Sequence, residues 1–299
     1  MKPLLDELLA ARVTLTDGAI GTELQRRGLA AGELGETWNL AHPKRVEEIA
    51  RAYVEAGSRI ILTNTFRSNR ITLSAHGRIA SLAAFNRAGV EIALRAAAGR
   101  AYVFGSLGPT GKLLFMGETT EEELLAAFSE QARILTDAGV HGIVIETMGD
   151  LDEARLAVRA AIETGVPVAV SMVFDSGKNH DRTLMGATPE QAARDLTEAG
   201  ADIVGANCGQ GIDGYVPICQ RLQRATDRPV WIKPNAGLPQ LVEGRTVYST
   251  SPEEFARHAP ALAEAGARFL GGCCGTTPEF IRAVGGKLNR GGAENAESG

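Results

Sequence analysis

Glu55-Ala56-Gly57-Ser58-Arg59-Ile60-Ile61-Leu62-Thr63 carries the architecture of this chain. An amphipathic, helix-like stretch ends in Ala-Gly, and an apolar run begins two residues later. The same phrase returns at Asp137-Ala138-Gly139 before Gly142–Glu146, at Glu198-Ala199-Gly200 before Asp202–Gly205, and at Glu264-Ala265-Gly266 before Arg268–Leu270. Glycine just past a helix accepts the left-handed conformation that turns the chain back toward a strand. Short, continuously apolar strands suit a sheet buried on both faces. Val13–Thr16, Tyr102–Gly105, Val166–Met172 and Pro229–Lys233 read as four further strands. Eight strands alternating with helices predict a single (β/α)8 barrel of the α/β class, a TIM barrel, over residues 1–284. A doubly wound open sheet is the competing fold. Asp17-Gly18-Ala19-Ile20-Gly21 matches its dinucleotide loop only weakly. Residues 285–299, rich in Gly, Asn, Glu and Ser, read as a disordered tail, and no internal domain boundary is expected.

The bulk properties exclude several functions. A formal net charge of −5, with acids and bases interspersed, argues against a nucleic-acid groove or a polybasic membrane surface. No apolar run approaches the ~20 residues that span a bilayer, and the N-terminus lacks a signal-peptide pattern. Four cysteines in that context fit a reducing cytoplasm, where metal binding or catalysis outranks disulfides.

Barrel enzymes place reactive groups at the C-terminal strand ends. Here those ends are polar: Asp17-Gly18, Thr63-Asn64-Thr65-Phe66, Ser106, Glu146-Thr147, Asn207-Cys208, Lys233-Pro234-Asn235 and Cys273-Cys274. Folding would bring Cys208, Cys273 and Cys274 to one rim. A disulfide between neighbours is strained, so two thiolates on one soft cation is the better chemical reading, with Cys208 as a third. Three sulfurs leave one position of a tetrahedral zinc site open, the arrangement of a catalytic metal. Adjacent residues of a regular strand point to opposite faces, so the pleat must break at Cys273-Cys274. Gly271, Gly272 and Gly275 supply the freedom for that break. The competing readings are buried cysteines acting as small apolar side chains and a four-cysteine structural site that includes Cys219.

Asp17-Gly18-Ala19-Ile20-Gly21-Thr22-Glu23, Asn64-Thr65-Phe66, Gly205-Ala206-Asn207-Cys208, Lys233-Pro234-Asn235-Ala236-Gly237 and Gly271-Gly272-Cys273-Cys274-Gly275 occur in that order across residues 10 to 284. In these pieces the chain resembles the homocysteine S-methyltransferase family. That family includes betaine–homocysteine methyltransferase and the homocysteine-binding module of cobalamin-dependent methionine synthase. The resemblance implies an eightfold barrel with zinc on the three cysteines and methylation of homocysteine to methionine.

On this reading Glu146 takes the substrate ammonium, with Asp17 second, and each has a structural role on the rim as its alternative. Glycine-rich turns after Asp17, including Gly18, and after Ser106 offer backbone N–H groups to the carboxylate. Asn207 belongs to the substrate pocket. Asn235 lends its amide oxygen to zinc before substrate arrives, or else shapes its own turn. The five histidines lie away from the cysteines and read as surface or capping residues. The polar loop Lys178–Arg182 faces either the donor or solvent.

The methyl donor is expected to be a methylcorrinoid or methylfolate-derived group, because Gly275-Thr276-Thr277-Pro278 after the cysteine pair looks more like the methionine-synthase module. The chain holds no folate or corrinoid module, so the corrinoid is expected on a separate protein partner. Betaine and S-methylmethionine are the alternative donors, with Trp38 and Tyr53 as candidate rings for a quaternary ammonium. A noncatalytic zinc-binding barrel and a thiol-redox enzyme are the alternatives from other classes.

Overall fold

The structure, a computed structural model, describes residues 2–242 and 245–296. Eight parallel strands form one sheet: β1 (Thr14–Leu15), β2 (Ile60–Leu62), β3 (Tyr102–Leu107), β4 (Gly142–Met148), β5 (Val168–Met172), β6 (Ile203–Gly211), β7 (Val230–Asn235) and β10 (Ala267–Leu270). A separate antiparallel hairpin, β8 (Gln240–Val242) with β9 (Arg245–Val247), stands between β7 and the next helix. Sheet order follows the chain from β2 to β7, then β10 and β1. A bridge from Thr16 to Ile60 joins β1 to β2 and closes the ring. The expected (β/α)8 barrel is therefore the observed fold.

The repeated Ala-Gly phrase explains the local turns. Gly57, Gly139, Gly200 and Gly266 sit at φ of +105°, +103°, +101° and +108°, each between a helix and the strand that follows it. The helices Pro43–Glu55, Leu82–Ala97, Glu121–Asp137, Leu151–Ile162, Pro189–Glu198 and Tyr215–Ala225 each lie outside the ring after successive strands. Between the helices and the outer sheet face lies one large apolar layer, including Ile61, Val103, Ile143, Val170 and Val204. The alternate residues Ile60, Leu62, Phe104, Val144, Ile203, Trp231 and Phe269 fill the barrel interior, as the period of two along a strand requires. Trp231 packs at 5.4 Å from Phe269 and stacks at 6.5 Å from Phe104.

Two segments differ from expectation. The helix Pro3–Leu8, not foreseen in the sequence, places Leu5 and Leu8 against that interior cluster as a plug. The last helix runs Pro278–Ala296, so the boundary expected at 284 falls inside it, and Leu288 packs against the outer core. Residues 297–299 of the expected tail lie outside the described residues.

Candidate metal and substrate site

The C-terminal strand ends converge as barrel geometry demands. The sulfurs of Cys208, Cys273 and Cys274 all lie within 4.8 Å of one another, and Cys208 Sγ is 3.9 Å from Cys274 Sγ. Zinc–sulfur bonds of about 2.3 Å would hold two tetrahedral ligand sulfurs about 3.8 Å apart. The spacing fits one zinc ion. Cys219 is buried in the helix Tyr215–Ala225, hydrogen-bonded to Leu262 O, and takes no part.

Each cysteine reaches this point by a local departure from strand geometry. Cys208 adopts φ +62°, a left-handed conformation that costs a non-glycine residue. The register of β6 against β7 shifts between Cys208 and Gly211. The Tyr215 hydroxyl donates to Cys208 O at 2.6 Å and pins the kink. After β10 the chain turns, with Thr276 N donating to Cys273 O at 3.1 Å, so neighbouring cysteines can face one ion. A Cβ on Gly271 would lie 2.1 Å from Thr16 Oγ1 and 2.5 Å from Asp17 O. Only glycine permits that close passage of the cysteine turn beneath the first loop.

Asn207 is a strut. It is fully buried, accepts from Thr147 N at 2.8 Å and Ser171 Oγ at 2.6 Å, and donates to Thr147 Oγ1 at 2.7 Å. Its amide also reaches Cys273 Sγ at 3.8 Å. Thr147 is itself left-handed, at φ +64°, which is unusual for a β-branched residue and is held by this pair of bonds. Asn235 is buried, donates to Gly209 O at 3.3 Å, and leaves its Oδ1 without a partner among the described residues. An orphaned buried oxygen beside a thiol cluster is what a cation ligand or its hydrogen-bond partner looks like.

The thiols themselves resist ionisation. For Cys208 the pull of Cys273 is outweighed by Cys274 and burial, and the thiol is pushed up to about 12. Cys274, favoured by Cys208 but opposed by Cys273 and burial, also rises to about 12. Cys273 is raised by Cys208 and by burial. Three such groups would ionise together only beside a shared positive charge.

A cavity of about 330 Å³ opens over the sulfurs, bordered by Gly18, Phe66, Ser106, Glu146, Thr147 and Lys233. Glu146 Oε1 accepts from Ser106 Oγ at 2.5 Å. Burial raises the Glu146 carboxyl, against the pull of Lys233 and the Ser106 hydroxyl. Asp17 lies behind this wall rather than on it: it is 1% exposed, accepts from Leu62 N at 2.7 Å, and pairs with Lys233 Nζ at 2.5 Å.

The chain matches the family model described as homocysteine S-methyltransferase over residues 14–288. It belongs to the homocysteine S-methyltransferase family. Among curated relatives, the methionine synthase of Mycobacterium leprae is 33% identical over 93% of this chain, and that of Mycobacterium tuberculosis 34% over 93%. The chain spans about a quarter of the length of these relatives, 24% and 25%. The metallated form of the homocysteine methyltransferase MmuM from Escherichia coli superposes with a TM-score of 0.78, covering 96% of this chain and 99% of that one at 23% identity. That likeness shows the fold.

Within the family frame, Cys208, Cys273, Cys274, Gly18 and Glu146 border the cavity, while Asp17, Asn207 and Asn235 stand behind it. Trp38 and Tyr53 are buried, and the Tyr53 hydroxyl bonds Ala19 O and Thr276 O, tying the first loop to the cysteine turn. None of the histidines borders the cavity. Asp181, in the polar loop after β5, pairs with Arg221 at 2.6 Å, away from the sulfurs. Among the cavity residues, Lys233 and Glu36 were given no role by the sequence reading. Lys233 was visible as a polar strand end within a turn motif, but not as a buried cation paired with Asp17. Glu36, buried and accepting from Arg67 N at 2.6 Å, had no signal outside its fold.

Proposed function

We propose that this barrel methylates the thiol of homocysteine to give methionine, with zinc held by Cys208, Cys273 and Cys274. The observation that carries the reading is the convergence of three sulfurs beneath a cavity that also presents a carboxylate. Zinc bound there would strip the substrate thiol of its proton and keep the sulfur as a nucleophile. Glu146 would receive the ammonium, leaving the thiol end over the cysteines. Asn207 would hold Cys273 and Thr147 in place, and Tyr215 would keep Cys208 turned inward. The net reaction exchanges the thiol hydrogen for methyl and releases a proton with the demethylated donor. It asks for no side-chain base.

A corrinoid-borne methyl group, charged from folate, is the donor we favour. The similarity to methionine synthases supports it. So do the exposed apolar side chains Phe115, Met116, Leu184 and Leu241, on loops after β3, β5 and β7, which suit a donor carried by a protein. Phe66 is the one aromatic among the described cavity-lining residues, too few for a betaine cage. No helix among the described residues is long and apolar enough to cross a membrane.

The test is metal content together with methionine formation from homocysteine, with methylcobalamin, methyltetrahydrofolate, S-methylmethionine and betaine supplied in parallel. About one zinc per chain and turnover with methylcobalamin are expected. Turnover with betaine or S-methylmethionine instead would replace the donor. Zinc without binding of homocysteine would favour a noncatalytic barrel, and a folded, reduced, metal-replete protein without zinc would sink the mechanism.

A further inference from the structure

Each sulfur of the cluster has a protein donor of its own. The Asn207 amide donates to Cys273 Sγ at 3.8 Å, the Gly209 N–H to the Cys208 sulfur, and the Tyr248 hydroxyl to the Cys274 sulfur. Tyr248 comes from a separate element, just past the β8–β9 hairpin. A Cβ on Gly275 would lie 2.3 Å from Tyr248 Cγ and 2.6 Å from its Cδ2, so the ring rests on the glycine that follows Cys274. Tyr248 is half-buried and does not border the cavity, whereas Cys274 does. The hydroxyl therefore meets the sulfur from outside and leaves the cavity side clear. Cys274 does not need this bond to hold its place. Its carbonyl accepts from Ala236 N at 2.9 Å, and Thr276 N closes the turn on Cys273 O. The hydroxyl is left with an electronic role.

A hydrogen bond to a thiolate draws charge off the sulfur and lowers its nucleophilicity. The inference rests on the reading that zinc binds the three cysteines. Four sulfurs then share one ion once homocysteine is bound, and a methyl donor entering the cavity meets more than one of them. Methylation of Cys274 would form a carbon–sulfur bond from a sulfur lone pair. The bond between methyl and carrier would break, and the carrier would leave with that electron pair. The product is a neutral thioether in place of an anionic ligand. We propose that Tyr248 protects Cys274 from the methyl donor and so directs methylation to the substrate sulfur. It acts through Cys274, as a positioning residue for the reaction.

The probe is iodoacetamide, a small electrophile from which a thiolate displaces iodide. The full-length, reduced protein is loaded with zinc, its metal content is measured, and labelling of Cys208, Cys273 and Cys274 is followed by peptide mass spectrometry. Every sample carries its own control, because loosening of the fold or loss of zinc exposes all three sulfurs together. Tyr248→Phe keeps the ring on Gly275 and removes only the hydroxyl. It should raise the labelling rate of Cys274 by about 3- to 10-fold relative to Cys273, the effect of one charge-assisted bond on thiolate reactivity. Tyr248→Met supplies the same comparison if the phenylalanine variant fails to fold. An unchanged ratio of Cys274 to Cys273 labelling in the zinc-loaded variant overturns the proposal alone. A folded, reduced wild type that takes up no zinc overturns the three-cysteine reading along with it.

Discussion

Cys208 and the Cys273-Cys274 pair reach one point by opposite means. At the end of β6 the ligand residue itself is bent into a left-handed conformation, at φ +62°, and is clamped there by Tyr215 and flanked by the Asn207 strut. After β10 the ligands are relaxed and their neighbours give way: Gly271 and Gly272 leave room for Thr16, Asp17 and Thr276, and Gly275 takes φ +83°. The first solution stores strain in a functional side chain and needs polar clamps. The second removes side chains and needs only close packing. The proposed metal site, assembled from both, should fail differently when each half is damaged.

The largest effects should come from the ligands. Cys208→Ala, Cys273→Ala or Cys274→Ala should abolish stoichiometric zinc and lower methyl transfer by roughly 10³-fold or more, read by metal analysis and methionine formation. Cys208→Gly should lose zinc as well, yet melt higher than Cys208→Ala by about 1 kcal/mol of stability, since glycine relieves the left-handed backbone. Equal melting of the two would refute the strain assigned to β6. Next, Gly271→Ala drives a Cβ into Thr16 and the Asp17 carbonyl, which should cost about 1–3 kcal/mol and be visible as a drop in Tm. Tyr215→Phe leaves the Cys208 carbonyl without its clamp. It should cost about 1 kcal/mol and weaken zinc in competition with a chromophoric chelator by about tenfold. A larger stability loss for Tyr215→Phe than for Gly271→Ala would reverse the comparison.

The smallest effect concerns Glu146, which belongs to neither half. Its carboxyl is raised from 4.5 by burial, so the metal-free fold favours the neutral acid and loses stability as pH rises from 4.5 through the folded value. Glu146→Gln keeps a neutral group at every pH. Thermal melts should therefore show that variant gaining on the wild type above this range, while calorimetry shows weaker homocysteine. Parallel melting curves from pH 4 to pH 8 would contradict the assigned burial.

Much of the barrel was legible because helix-ending glycines and apolar strands are local signals, repeated four times in nearly the same words. The paired cysteines were legible for the same reason, since the glycines that make room for them lie beside them. The left-handed Cys208 was not, because the Tyr215 hydroxyl that bonds its carbonyl lies 7 residues further on and belongs to no recognisable motif. Asp17 with Lys233 is 216 residues apart in sequence, so each was visible as a polar strand end and neither as half of an ion pair. Residues 285–299 read as a disordered tail on composition, yet the last helix runs on to Ala296, with Leu288 docked on the core. Tertiary packing overrides propensity there.

Ring closure carries a kinetic consequence. β1 pairs with β10, joining Thr14 to Phe269 and Leu15 to Leu270, and the cysteine turn then settles on the Asp17 loop. Contacts of such sequence separation are the slowest to form in a folding chain. The thiol cluster is thus completed by the same event that seals the cylinder, and uptake of the proposed zinc during refolding would report that last step rather than collapse of the core.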